Sequence, residues 1–244
     1  MRALSAPELL GVWERGLAQG PVERALMLLA AACPETSPDT LASVTVGQRD
    51  ARLLALREWA FGSELAGVVT CPGCGECLEL NFDIEDLQVG SDAEPEGGIP
   101  LAACGYELRF RLPNSLDLIA LEEQADPDRS RLLLFRRCLL SAHHDGEEEA
   151  GDKLPTGVID AVAECIAEHD PQADVQLAIA CPLCGHQWRA VFDIVSFFWS
   201  EIDAWAQRLL REVHTLASAY GWGERDILAL SPWRRQLYLE MVGA

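Results

Sequence analysis

The chain has 244 residues, 49% of them hydrophobic and 24% charged, a globular composition with enough length to bury a substantial core. Its 39 acidic residues against 19 lysines and arginines give a net charge of −20. That charge repels phosphate backbones and anionic lipid, and so opposes nucleic-acid and membrane-surface partners.

No apolar run is long enough to span a bilayer, and no signal-peptide pattern follows Met1. In chain order, Ser5 is placed to cap a helix over residues 7–17, with Leu9, Leu10, Trp13 and Leu17 at helical spacing. Gly20 and Pro21 end it and open a second helix over residues 21–32, with Pro21 at the first helical position. Residues 35–40 read as a linker. A third helix over residues 46–61 sets Leu53, Leu54, Leu56 and Trp59 against a polar side of Arg49, Asp50, Arg52, Arg57 and Glu58, and Gly62 closes it.

Next comes a motif that occurs twice. Residues 71–84 read CPGCGECLELNFDI and residues 181–194 read CPLCGHQWRAVFDI. They match without a gap at Cys71/Cys181, Pro72/Pro182, Cys74/Cys184, Gly75/Gly185, Phe82/Phe192, Asp83/Asp193 and Ile84/Ile194. In each Cys-Pro-x-Cys-Gly turn the proline fixes φ before the bend and the glycine takes a left-handed conformation, which leaves two thiolates on one side of a tight knuckle. Alternating residues follow (Leu78, Leu80, Phe82, Ile84; Trp188, Ala190, Phe192, Ile194), and β-rich runs precede at residues 65–70 and 175–180. Each copy therefore reads as a hairpin with the knuckle at its tip.

A structural Zn²⁺ takes four ligands in a closed tetrahedron, twice what one knuckle offers. Cys71, Cys74, Cys181 and Cys184 are accordingly the expected ligands of one structural zinc ion per chain. A pair of disulfides or a CxxC redox pair are the other readings of the same residues. Cys77 falls where the second copy has Gln187 and reads as a strand residue, and His186 as a solvent-side residue or a donor behind the ligands. Four thiolates leave no open position for catalytic zinc, and no GxSxG, P-loop, HExxH or dinucleotide fingerprint occurs, so no catalytic or cofactor-binding residue is assigned.

Between the copies, residues 85–98 form an acidic loop, 106–113 a strand, and 115–123 and 128–140 two helices. Residues 143–153 read as a solvated loop with His143 and His144 on its surface. A helix then runs through His169 with Val158, Val162, Cys165 and Ile166 on its apolar face. The phrases RLPNSLD and KLPTGVID suggest one strand-turn-helix unit used twice. Cys33, Cys77, Cys104, Cys138 and Cys165 read as reduced core cysteines, which points to a cytoplasmic protein. After Ile194 a long helix over 195–220 carries the stripe Phe198, Trp199, Ile202, Trp205, Leu209, Val213 and Leu216. The run Phe197-Phe198-Trp199 exceeds what one hairpin covers, and so packs on the N-terminal helices or on a partner. Gly221-Trp222-Gly223 breaks the helix, and residues 224–242 form a helical hairpin whose Arg234 and Arg235 pair with carboxylates.

The expected class is α+β. A split zinc ribbon of two CPxCG hairpins over residues 63–194, with a strand-helix insertion that is helical at 114–170, lies between helical regions at 1–62 and 195–244.

The helix GQRDARLLALREWAFG, the two CPxCG hairpins with FDI, the RLPNSLD and LPTG segments and the closing YGWGERDILALSPWRRQLYLEMV are together similar to the T-even phage baseplate hub assembly family. Relatives of that family occur in phages with contractile tails and in tail-derived contractile injection systems. The likeness runs from Val46 to Met241. It implies a non-enzymatic assembly factor, chaperone or minor component of the baseplate hub, acting in the producing cell's cytoplasm or carried into the particle. Hub or spike proteins would be its partners, with no small-molecule substrate. Only the knuckle cysteines carry over from the family residue by residue. A zinc-ribbon adaptor of a nucleic-acid or transcription complex is a second reading, opposed by the net charge. A CxxC thiol-redox protein is a third, opposed by motifs on paired hairpins rather than at one helix start.

Overall fold

A computed structural model describes residues 1–90, 97–122, 124–151 and 154–243, and its architecture is mixed α and β. Helices α1 (Ala6–Gly16), α2 (Pro21–Ala32), α3 (Pro38–Ser43) and α4 (Val46–Phe61) come first, then the hairpin β1 (Glu64–Thr70) and β2 (Cys77–Asp83). The insertion holds β3 (Ile99–Ala103), β4 (Tyr106–Phe110), α5 (Ser115–Leu121), α6 (Pro127–Cys138), β5 (Leu139–His144), β6 (Glu147–Glu148) and α7 (Thr156–His169). The hairpin β7 (Gln176–Ala180) and β8 (Gln187–Val191) leads into α8 (Ile194–Tyr220), α9 (Glu224–Leu228) and α10 (Pro232–Gly243). No helix among the described residues is long and apolar enough to cross a membrane.

The largest core joins Val12 of α1, Leu28 and Leu29 of α2, Leu41 of α3, and Leu53 and Leu56 of α4 to Phe198 and Ile202 of α8. Leu65, Ile84, Val175 and Ile194, at the bases of the two hairpins, belong to the same cluster. The aromatic run at the start of α8 thus packs on the N-terminal helices, with Phe198 edge-on to Phe61 at 6.0 Å. Arg24 lies over the Trp199 ring at 4.5 Å.

Two expectations for this region need correction. The linker at 35–40 runs into α3, because the Ser37 hydroxyl accepts from the Thr40 N–H and Pro38 supplies the first helical residue. The polar side assigned to α4 is partly interior: Arg49, Asp50 and Arg57 are buried. Arg57 donates to both Glu201 carboxylate oxygens at 2.8 and 2.6 Å and to the Gly62 carbonyl at 2.7 Å. That carboxylate comes from α8, beyond the reach of any local periodicity.

The insertion has its own core. Strands β3-β4-β5-β6 form an antiparallel sheet, and Leu108, Phe110 and Ala142 meet Phe135 of α6 and Val158 and Val162 of α7. Strand β3 was not anticipated, and the expected loop over 143–153 begins as sheet, with His143 opposite Glu148 and His144 opposite Glu147. Two short turns account for both differences. Cys104 and Gly105 have φ of 52° and 84°, and Asp145 and Gly146 have 52° and 82°, the paired positive values of a two-residue hairpin turn. Cys104 is therefore exposed, as is Cys77. Cys138 alone of the five remaining cysteines is fully buried, which corrects their reading as core residues. Residues 91–96, Glu123, Asp152 and Lys153, which the expected loops and the end of the expected helix over 115–123 include, lie outside the described residues.

The RLPNSLD segment ends the sheet on a buried carboxylate. Burial would raise Asp117, but Arg111, the Asn114 N–H and Arg137 hold it below the usual range. The likeness to KLPTGVID stops at the helix cap, where the Asn114 side chain accepts from the Asp117 N–H while Pro155 offers no side-chain cap.

Residues 170–172 fasten the insertion to the main core. Asp170, 1% exposed, accepts from the Gly47 N–H at 2.9 Å at the positive end of α4. The Gln172 side chain donates to the Leu87 carbonyl at 3.1 Å and accepts from the Val89 N–H at 2.8 Å.

Candidate metal centre

The two knuckles have the same backbone. In the first, the Cys71 N–H donates to the Glu76 carbonyl at 2.8 Å and the Gly75 N–H to the Cys71 carbonyl at 2.9 Å. In the second, Cys181 donates to His186 and Gly185 to Cys181 at the same two distances. Gly75 and Gly185 have φ of 77° and 72°. A Cβ on either would meet nothing within 4 Å, so the requirement for glycine is conformational and not one of space.

All four sulfurs of Cys71, Cys74, Cys181 and Cys184 lie within 4.8 Å of one another. Cys71 Sγ is 3.7 Å from Cys184 Sγ, and Cys74 Sγ is 3.7 Å from Cys181 Sγ. Because Cys71 aligns with Cys181 and Cys74 with Cys184, exchanging the copies maps one of these pairs onto the other. The hairpins meet as an approximate two-fold, with Phe82 edge-on to its counterpart Phe192 at 5.7 Å. Each hairpin is a separate two-stranded sheet.

A disulfide brings its sulfurs to about 2.05 Å, so neither pair is bonded, and all four cysteines are free. A tetrahedron with Zn–S bonds of about 2.3 Å has an edge of about 3.8 Å, which the two 3.7 Å separations match. The donor set fits a four-coordinate, thiophilic ion. Cys71 and Cys181 are buried while Cys74 and Cys184 are exposed, so the cluster is half sunk at the hairpin tips.

The thiols are electrostatically uneven. Cys181 is lowered to about 7, first by the Cys184 N–H and, against its burial, by the Leu183 N–H. Cys74 is pushed up to about 12: the Glu76 N–H acts to lower it, but Cys184, burial, Cys181 and Cys71 outweigh that contact. Four sulfurs this close become thiolates together only around a cation.

Among the described residues, neither Cys77 nor His186 joins the cluster. Cys77 is an exposed residue at the start of β2, and the His186 ring stacks on Trp188 at 5.8 Å. His143 and His144 lie far along the chain in β5, where His144 stacks on Tyr106 at 4.5 Å.

Sequence reading missed what the repeated FDI does, although the repetition itself was the signal. Phe82 and Phe192 make the contact between hairpins. Asp193 accepts from the Val195 N–H to cap α8, and Asp83 heads a capping box on a 3-10 turn at Ile84–Leu87. Ile84 and Ile194 are buried in the main core.

The family model described as T4 bacteriophage base plate protein matches residues 17–199, a span that contains both knuckles. No curated protein and no solved structure matches the chain.

Proposed function

The chain belongs to the T4 bacteriophage base plate protein family, and from that premise we propose that it is a non-enzymatic assembly factor or minor structural component of the hub of a contractile-tail baseplate. Membership supports a structural or assembly role in a phage baseplate, with other baseplate proteins as partners. The observation that carries the reading is the extent of the match, residues 17–199, across α2 to α4, both hairpins, the insertion and the start of α8.

In this reading Cys71, Cys74, Cys181 and Cys184 hold one zinc ion, and the two hairpins with that ion make a split zinc ribbon. The ion supplies a cross-link that ties two distant stretches and closes its own coordination shell, leaving no position for substrate. The protein's part is packing and presentation. The knuckle glycines aim the thiolates, Phe82 and Phe192 set the angle between hairpins, and the core fixes the hairpin bases. The producing cell's cytoplasm is the proposed site of action.

Deleting the gene in the producing cell and counting particles by electron microscopy tests the reading. Tails stalled without complete baseplates, restored by the wild-type gene in trans, are the expected result. Normal yields of complete baseplates in the deletion would overturn it.

A further inference from the structure

The outward face of the first hairpin carries two carboxylates, Glu64 and Glu79, that the fold does not use, beside Asp83 and Asp86, which cap the turn after β2. Glu64 stands directly opposite Asp83, and Val68 directly opposite Glu79. All four are exposed, Val68 at 68%. Like charges at opposed positions of an antiparallel pair destabilise it. A shallow concavity at the hairpin base is lined by Glu64, Ala66, Asn81, Asp83 and Asp86. No lysine or arginine occurs between Arg57 and Arg109. Among the described residues, no cation lies within ion-pair distance of Glu64, Glu79, Asp83 or Asp86.

The second hairpin is an internal control. Its knuckle, its inward phenylalanine and its strand pairing repeat those of the first, so whatever the architecture demands should recur. At the position of the Val68 and Glu79 pair it has Ala178 opposite Arg189. Asn81 is replaced by Val191. Acid is retained only at the base, where Asp193 repeats Asp83 and Asp174 stands in the place of Glu64 and accepts from the Gln176 side chain. The same hairpin thus forms with a basic residue at the centre of its outward face, and neither Glu79 nor the exposed Val68 is there for folding.

We propose that the outward face of β1 and β2, centred on Glu64, Val68 and Glu79, docks a basic segment of a partner protein. Lysine or arginine side chains sit on the carboxylates and an apolar side chain sits on Val68. The face repels nucleic acid for the reason the whole chain does. The inference deepens the assembly reading and rests on it for the partner being a protein. The binding itself depends only on the charge and the apolar spot.

A fluorescent peptide of alternating lysine and valine, titrated into the zinc-loaded full chain and followed by anisotropy, tests it. Saturable binding that weakens between about 50 and about 200 mM salt is expected. The double variant Val68→Ala/Glu79→Arg installs the residues of the second hairpin, and should weaken binding about tenfold or more while leaving the melting curve unchanged. Glu79→Gln, which adds no new charge, should give a smaller loss in the same direction. Arg189→Glu on the second hairpin should leave the affinity unaltered. Equal affinity of wild type and the double variant, or absence of saturable binding, overturns the docking face without touching the assembly reading, which the deletion phenotype decides.

Discussion

Gly47 is the second residue of α4, and alanine there should destabilise the protein even though alanine is the better helix former by about 1 kcal/mol. A Cβ would lie 1.9 Å from Asp170 Oδ1 and 2.7 Å from its Cγ, so the carboxylate must withdraw. Withdrawal breaks the 2.9 Å bond from the Gly47 N–H to Oδ2. It leaves a carboxylate that is 1% exposed, whose Oδ1 already has no partner. A charged hydrogen bond lost in the interior costs about 1.5–3 kcal/mol, and forcing atoms into a packed site about 1–3 more. After the helix-propensity gain, a net loss of about 1.5–5 kcal/mol remains, or about 3–20 °C in Tm for a chain of this size. Gly11→Ala is the matched control: a Cβ there touches only Arg15 Nη1 at 3.4 Å, so it should raise stability by up to about 1 kcal/mol. Thermal melts followed by circular dichroism read both. A Gly47→Ala protein that melts at or above wild type refutes the idea that Asp170 locks the insertion onto α4.

Metal analysis should give about one zinc per chain, and Cys74→Ser or Cys184→Ser should lower that content and loosen the hairpins, because binding free energy here is folding free energy. Full stability in chelator would refute this. Burial raises Asp50 to about 6 against the pull of Arg49, with Asp193 and Asp170 pushing the same way as burial. A carboxyl with a raised folded pKa favours folding when protonated, so its term weakens stability as pH rises from about 4 through 6, by about 3 kcal/mol in all. Asp50→Asn should flatten urea-derived stability across that window, and an unchanged slope would count against it. Arg57→Ala removes a guanidinium 3% exposed that ties α4 to Glu201 of α8, and should cost about 2–4 kcal/mol by the same urea titration. A loss under about 0.5 kcal/mol would place that pair with surface ion pairs instead.

What was legible in the sequence had a local cause. The extents of α2 and α4, the break at Gly221 and both knuckles follow from proline, glycine and spacing at the residues themselves. The four thiols brought together at the hairpin tips could be named because the motif occurs twice and each copy is incomplete. What was missed depends on partners far along the chain. Arg49 and Asp50 read as solvent-facing until Asp170 arrives beside them, and Arg57 until Glu201 does. Of the insertion's sheet only the strand at 106–113 was expected: Cys104-Gly105 carries no turn signature, and the hairpin pair Asp145-Gly146 is hidden in an acidic run that reads as loop.

An isolated two-stranded hairpin is marginal in water, and both hairpins here show strands that alternate between exposed and half-buried residues. Their bases are secured by Leu65, Ile84, Val175 and Ile194 in the main core, but that hold fades toward the tips, where Val68 and Leu183 face solvent. At the tips the apolar contribution is replaced by four sulfurs from positions 107 and 113 residues apart in the paired contacts. Bringing such distant segments together has an entropic cost that grows only slowly with length, so a metal ion held by these four sulfurs would offset it where scattered apolar contacts would not. The insertion can therefore lie between the two halves without loosening them. Its own anchor, Asp170 and Gln172, grips α4 and the turn after β2 and leaves the outward faces of both hairpins open.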